Sequence, residues 1–258
     1  MEDSFSFIRG VGIEMEGLYK RDENDEEEIV VRGDFTMDRE NYFLMDEIKG
    51  DSSIRWQEGY RAREITSRVL KKRSEVERFI NYFTPALTNE SCGMHIHISL
   101  DNLNINVLVN EKSFRREFYS FLREFASERD WRRLKERVEG RNHYCLRGSN
   151  FGDVESRYSS RSRYRILNIH SYLEHKTMEC RVFPCYSVVK KNMEMAFAYL
   201  DFVEGYFSRL YASKRSRNRL LKLYLLPIET KVEEDEEEMP KHLREIIHQE
   251  APPLVLTV

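Results

Sequence analysis

The sequence predicts an α+β fold, an antiparallel sheet of roughly six strands with helices packed on one face. Four segments alternate apolar and polar residues with period two, which marks strands that bury a single face. Three others repeat apolar residues at helical spacing. The two kinds of segment do not follow one another as a regular β/α repeat, so a β/α barrel is not indicated.

The elements follow in chain order. Residues 11–17 set Val11, Ile13 and Met15 against Gly12, Glu14 and Glu16. Residues 61–67 are a weaker strand, with Ala62, Glu64 and Thr66 opposite Arg63, Ile65 and Ser67. Ser74-Glu75-Val76-Glu77 has the form of a capping box, with Ser74 as cap and Glu77 closing back on it, and opens a helix with Val76, Phe79, Ile80 and Phe83 on one side. Pro85 ends it, since a proline within a helix removes a donor and clashes with the preceding turn. Residues 94–100 alternate Met94, Ile96 and Ile98 with His95, His97 and Ser99. A second helix spans 111–131, with Phe114, Phe118, Phe121, Leu122 and Phe125 as its stripe. Residues 177–183 set Met178, Cys180 and Val182 against Thr177, Glu179 and Arg181. A third helix spans 191–212, with Met193, Phe197, Leu200, Val203, Phe207 and Leu210 facing inward. Two acidic runs, 22–28 and 233–238, read as a solvated hairpin tip and a linker, because packed like charges repel. The chain divides into a body, 1–230, and an acidic linker with a C-terminal tail, 231–258.

Forty-two basic residues nearly balance forty-five acidic ones, for a net charge of −3, which argues against a dedicated nucleic-acid binder. The basic stretches 132–147 and 214–222 read as helix surfaces. None of Cys92, Cys145, Cys180 and Cys185 forms a C-x-x-C pair, so buried free thiols are expected. No apolar run approaches the ~18 residues of a membrane span, and residues 1–9 lack the basic start and apolar stretch of a signal peptide. A cytoplasmic protein with no membrane partner is expected.

The polar faces of the strands carry the chemistry. An ordinary solvent face mixes Thr, Lys and paired charges. Here the strands offer Glu14-x-Glu16, His95-x-His97 and Glu179-x-Arg181, with Glu64 from the weaker strand. Four carboxylates on one surface stay ionised only beside positive charge. Mg²⁺ supplies it through oxygen ligands, and Mn²⁺ also accepts an imidazole such as His95. A structural zinc site would take four nitrogen or sulfur ligands instead. Arg181 offers a fork of donors to a phosphoryl group, or else pairs with Glu14 or Glu16.

These residues resemble a known family. Cys92-Gly93-Met94-His95-Ile96-His97-Ile98-Ser99-Leu100 resembles the G-M-H-x-H-x-S strand of glutamine synthetases, and Thr177-Met178-Glu179-Cys180-Arg181-Val182-Phe183-Pro184 resembles their E-x-R strand. Gly12-Ile13-Glu14-Met15-Glu16 resembles the opening G-x-E-x-E strand. Asp51-Ser52-Ser53, Arg63-Glu64-Ile65-Thr66-Ser67 and Arg163-Tyr164-Arg165-Ile166-Leu167-Asn168 complete an order similar to the amidoligase branch of the glutamine synthetase and glutamate–cysteine ligase superfamily, over about residues 8–210. The resemblance implies a glutamine-synthetase-like catalytic fold for the body. It implies one metal on Glu14, His95 and Glu179 and a second on Glu16 and Glu64. His97 and Ser99 would lie near the nucleotide, Arg181 near the transferred phosphate, and Asp51 and Ser53 near the substrate end. Arg163 or Arg165 would bind phosphate or the acyl substrate. A third carboxylate for the second metal is not singled out among Asp46, Glu47 and Glu58, and no counterpart of the ammonium-side acidic loop is found.

The activity the resemblance implies is that of an ATP- and Mg²⁺- (or Mn²⁺-) dependent carbon–nitrogen ligase. It would join a small-molecule or peptide carboxylate to an amine through an acyl phosphate. Glu64, Glu179 and Arg181 would act in catalysis. The alternatives are a guanidino-type phosphotransferase, a metal-dependent hydrolase built on His95 and His97, and a non-catalytic nucleotide-binding relative. Neither the two joined substrates nor the oligomeric state, a homo-oligomer included, is legible.

Overall fold

The computed structural model describes residues 3–21, 29–30, 43–101, 104–105, 107–108, 112–127, 131–142, 145–149, 165–168, 176–212 and 218. Arg163, the two acidic runs and the tail lie outside these residues.

The fold is α+β. The strands are β1 (Gly10–Arg21), β2 (Ile29–Val30), β3 (Met45–Gly50), β4 (Tyr60–Ser67), β5 (Gly93–Ser99), β6 (Leu146–Ser149), β7 (Arg165–Asn168) and β8 (Thr177–Pro184). The helices are α1 (Arg73–Phe83), α2 (Lys112–Ser127), α3 (Arg132–Val138) and α4 (Val189–Tyr211). All eight strands join one sheet, in the order β3-β4-β1-β5-β8-β7-β6, with the two-residue β2 paired to β1 off that path. From β3 to β7 the order gives six antiparallel strands, and only β6 and β7 run parallel.

Period two sets this sheet. Val11, Ile13, Met15, Ile65, Met94, Ile96, Ile98, Met178 and Cys180 are all fully or almost fully buried, and they belong to one core with the helix stripes. In α1 the buried residues are Val76, Phe79, Ile80 and Phe83, as the spacing predicts. Phe114, Phe118 and Phe202 interlock where α2 meets α4, and Phe183 of β8 packs on Tyr199. All four cysteines are buried free thiols, and burial raises the pKa of each. No helix among the described residues is long and apolar enough to cross a membrane.

The boundaries differ in instructive ways. Helix α1 starts before Ser74, and it is the Glu75 carboxylate that folds back on the Lys71 and Lys72 amides, at 2.6 and 3.1 Å. Ser74 is taken up instead by Asp3, which accepts its amide and its hydroxyl at 2.9 Å each. The helix stops at Phe83, and Thr84 is already extended, as the residue before Pro85 should be. The second helix ends at Ser127, and α3 is a separate short helix.

Helix α3 ties the sheet together through Arg137, which is 1% exposed. Its guanidinium donates to the carbonyls of Cys92 (3.0 Å), Arg181 (3.3 Å), Ser91 (3.4 Å) and Phe183 (3.5 Å). One side chain thus joins the start of β5 to the end of β8.

Candidate metal centre

The central strand β1 presents Glu14 and Glu16 on the face away from the core. Its neighbours answer in register. Glu14 stands opposite Thr66 of β4 and His95 of β5, Glu16 opposite Glu64, and Gly12 opposite His97. One strand further, His97 stands opposite Glu179 of β8. Three adjacent strands and β8 therefore bring Glu14, Glu16, Glu64, His95, His97 and Glu179 onto one patch.

The patch resolves into two groups. Ligand atoms of Glu14, His95 and Glu179 lie within 4.8 Å of one another, and so do those of Glu16, Asp51 and Glu64. In the first group, Glu14 Oε2 is 2.9 Å from His95 Nδ1, and Glu179 Oε1 is 3.7 Å from the same nitrogen. His97 joins from the side, with Nε2 at 2.9 Å from Glu14 Oε1 and 4.0 Å from Glu179 Oε1. That nitrogen is closed off from water, and Glu14 is the nearer of the two carboxylates it faces. His95 Nε2 faces Glu16 Oε1 at 3.6 Å, and the Gly93 amide donates to Glu16 Oε2 at 2.6 Å.

Two glycines make room for the rings. A Cβ on Gly93 would stand 2.6 Å from His95 Nε2, and one on Gly12 would stand 3.3 Å from His97 Cβ.

Glu179 is 3% exposed and is held from two directions. Asn168, directly across from it on β7, donates through Nδ2 to Oε2 at 2.8 Å. Arg181 Nη1 donates to Oε1. Arg181 thus pairs with the carboxylate two residues before it, whereas the sequence points to phosphate, Glu14 or Glu16 as its partner. Strand alternation also breaks here. Met94 pairs with Phe183 and Ile96 with Cys180, so Arg181 and Val182 together oppose His95 in a β-bulge. Phe183 then returns to the core face, and Arg181 turns along the rim of the patch.

Charge in the patch is far from balanced. Burial alone would raise the pKa of Glu14, but the hydrogen bond to His95 and the approach of His97 hold it well below the usual carboxylate range. Glu64 goes the other way. Burial, then the charge of Glu14, pushes its pKa up to about 7, against a smaller pull from His95. For His97, burial works against the charged form, yet Glu14 outweighs it and the pKa rises. Arg181 behaves likewise, with the Glu179 carboxylate outweighing burial.

The remaining sequence candidates fall as follows. Asp51 supplies the third carboxylate beside Glu16 and Glu64, a place for which the sequence offered only Asp46, Glu47 and Glu58. Those three are exposed, and Glu47 pairs with Lys49 at 2.8 Å. Ser53 shapes the turn after β3, its amide donating to Asp51 Oδ1 at 2.8 Å. Ser99 lies at the end of β5 on the histidine face, and its hydroxyl donates to the Gly10 carbonyl at 3.4 Å. On β7, alternation puts Arg165 on the side of Leu167, the partner of Cys180, and Asn168 on the side of Glu179.

Fold and patch together define an α+β protein with a carboxylate–imidazole cluster on the face of its sheet away from the core. The chain matches no protein-family model, and no curated protein matches it.

Proposed function

We propose that this protein is an ATP- and divalent-cation-dependent carboxylate–amine ligase of the amidoligase kind, with a glutamine-synthetase-like sheet. The observation that carries the reading is the pair of neighbouring groups, Glu14/His95/Glu179 and Glu16/Asp51/Glu64, with Arg181 at their edge. Two adjoining groups of three anionic or imidazole side chains gain from positive charge beyond that of Arg181. Their donor set, carboxylate oxygen with some imidazole, suits Mg²⁺ or Mn²⁺. Bound there, such ions would neutralise charge on the phosphates of ATP.

The chain's own residues have three tasks. Glu14 and Glu16 hold the two groups side by side from one strand. Asn168 fixes one oxygen of Glu179 and leaves the other facing the patch. Arg181 meets the charge that develops as phosphoryl is transferred. In the reaction, a substrate carboxylate oxygen attacks the γ-phosphorus and ADP leaves. The nitrogen of an amine then attacks the acyl carbon and expels phosphate, giving an amide. His97 and Ser99 would contact the nucleotide, and Ser53 would lie near the acyl substrate.

Hydroxylamine tests this reading. It intercepts an acyl phosphate as a hydroxamate, whereas a guanidino-type kinase yields only a phosphorylated amine. Incubation with ATP, Mg²⁺ or Mn²⁺, hydroxylamine and a panel of amino acids, diacids and peptides should give hydroxamate with at least one carboxylate. The Glu179→Gln variant should give none. ADP formation without hydroxamate across the panel, or full turnover by the variant, would overturn the ligase assignment.

A further inference from the structure

The two carboxylates of the first group are held in matching ways. Glu179 gives Oε2 to Asn168 Nδ2 at 2.8 Å and keeps Oε1, which Arg181 also meets, towards His95 Nδ1 at 3.7 Å. Glu14 divides its oxygens likewise. Its Oε2 lies 2.9 Å from His95 Nδ1, and its Oε1 lies 2.9 Å from His97 Nε2. Each carboxylate therefore shows one oxygen to His95, and a side chain outside the group of Glu14, His95 and Glu179 takes the other. This division is not automatic. The last torsion of a glutamate is broad, so a carboxylate with neither oxygen held can turn its free oxygen away.

The sheet seats His97 for this task. His95 stands directly opposite Glu14, whereas His97 stands opposite Gly12, two residues away along β1. Its ring reaches Glu14 diagonally, a span that long side chains cover. Gly12 clears the way, since a Cβ there would lie 3.3 Å from His97 Cβ and 3.9 Å from its Cγ. At the other end of the ring, Nδ1 lies 3.3 Å from Thr177 Oγ1. A neutral imidazole has one N–H. With that proton on Nε2, towards Glu14, Nδ1 is free to accept from the Thr177 hydroxyl. Thr177 of β8, His97 of β5 and Glu14 of β1 thus form one line of contacts across three adjacent strands.

Resting on the cation site argued above, we propose that His97 is a positioning residue, which holds Oε1 of Glu14 so that Oε2 stays beside His95 and Glu179. It does for Glu14 what Asn168 does for Glu179. Partners behind a ligand fix its orientation and add to metal affinity without touching the ion. The two histidines of β5 therefore differ in their work although they share a face: His95 belongs to the group itself, and His97 stands behind it. Both nitrogens of His97 are taken up, which leaves the carbon edge of the ring for the nucleotide contact proposed above.

The test titrates the full chain, freed of metal, with Mn²⁺ alone in a calorimeter. His97→Ala should weaken binding by about 10–100-fold. Two further variants ask which atom matters. The amide nitrogen of glutamine reaches the place of Nε2, and that of the shorter asparagine only the place of Nδ1. His97→Gln should therefore recover most of the loss and His97→Asn none of it, at similar melting temperatures. Parent-like binding by His97→Ala overturns the inference, and so does equal binding by the glutamine and asparagine variants, the result expected of a ring that only fills space. Pulsed electron paramagnetic resonance on the unmodified protein, made with ¹⁵N-histidine and loaded with Mn²⁺, needs no variant to fold. It should show one histidine nitrogen on the ion. A second nitrogen would make His97 a ligand in its own right and overturn the inference, as would none. Each of these results leaves the cation site standing, whereas failure of the parent to bind either Mn²⁺ or Mg²⁺ removes the inference and the ligase reading together.

Discussion

Gly93→Ala is a small change with a calculable effect. Gly93 opens β5 beside Pro184, and its amide is fixed to Glu16 Oε2 at 2.6 Å. A Cβ placed there would stand 2.6 Å from His95 Nε2, 3.2 Å from Cδ2 of the same ring and 3.1 Å from Glu16 Oε2. Ordinary contact begins near 3.4 Å, so the imidazole must retreat by 3.4 − 2.6 = 0.8 Å or the strand must shift. Neither is easy. The His95 side chain is only 3% exposed, and its front nitrogen already sits 2.9 Å from Glu14. Overpacking of this kind costs about 1–3 kcal/mol, which lowers the melting temperature of a domain this size by roughly 2–4 °C for each kcal/mol. A displaced ligand ring should also weaken Mn²⁺ binding by about 10–100-fold, the range seen when ligand positioning is disturbed. Differential scanning calorimetry reads the first effect and titration calorimetry the second. Gly50→Ala is the control, because its nearest neighbour is the far end of Arg63 at 3.5 Å. An unchanged melting temperature for Gly93→Ala would refute the packing argument. A lowered one with unchanged Mn²⁺ affinity would refute the role given to the ring.

Two further outcomes are expected. Glu64 has its carboxyl pKa raised to about 7 in the fold, so the folded chain binds the proton more tightly than the unfolded chain. Its contribution to stability therefore falls as pH rises from the ordinary carboxylate range through 7. Without metal, Glu64→Gln should gain on the parent in melting temperature between pH 5 and pH 8, a gap that Mn²⁺ narrows; a constant gap counts against the shift. Arg137→Met removes four hydrogen bonds to carbonyls, of which that of Cys92 keeps other donors in the Cys185 amide and Arg133, and should destabilise the protein by about 3 kcal/mol in urea unfolding, with an unchanged midpoint as the contrary result.

Much of the patch was legible because strand alternation is local. Glu14 and Glu16, His95 and His97, and Glu179 each needed only their own strand to be read onto one face. What escaped depended on partners. Strand β3 shows no apolar rhythm because, as an edge strand, it buries only Met45 and exposes the rest. With β3 unseen, nothing located Asp51 at its end or brought that carboxylate to Glu64 on the next strand. Strand β7 has four residues, too few for a period, and so the Asn168–Glu179 pairing was invisible. Helix α3 showed only as a basic helix surface in 132–147, and its buried face stayed hidden, since one of its buried residues is an arginine. The bulge at Arg181 and Val182 left no mark on the sequence, because apolar Val182 fits either pattern.

One consequence follows from the two carboxylates of β1 lying two residues apart. A strand advances about 3.3 Å per residue, so Glu14 and Glu16 are rooted about 6.6 Å apart. Two ions sharing a single bridging oxygen need about 3.5–4 Å. Ions centred over these two anchors would sit too far apart for one hydroxide to span, but a chain of linked phosphates reaches across such a gap. On the function proposed, the pitch of β1 would then favour a polyphosphate over a lone oxygen. Substitution of Trp56, which stands 70% exposed in the loop after β3, would leave that spacing unchanged.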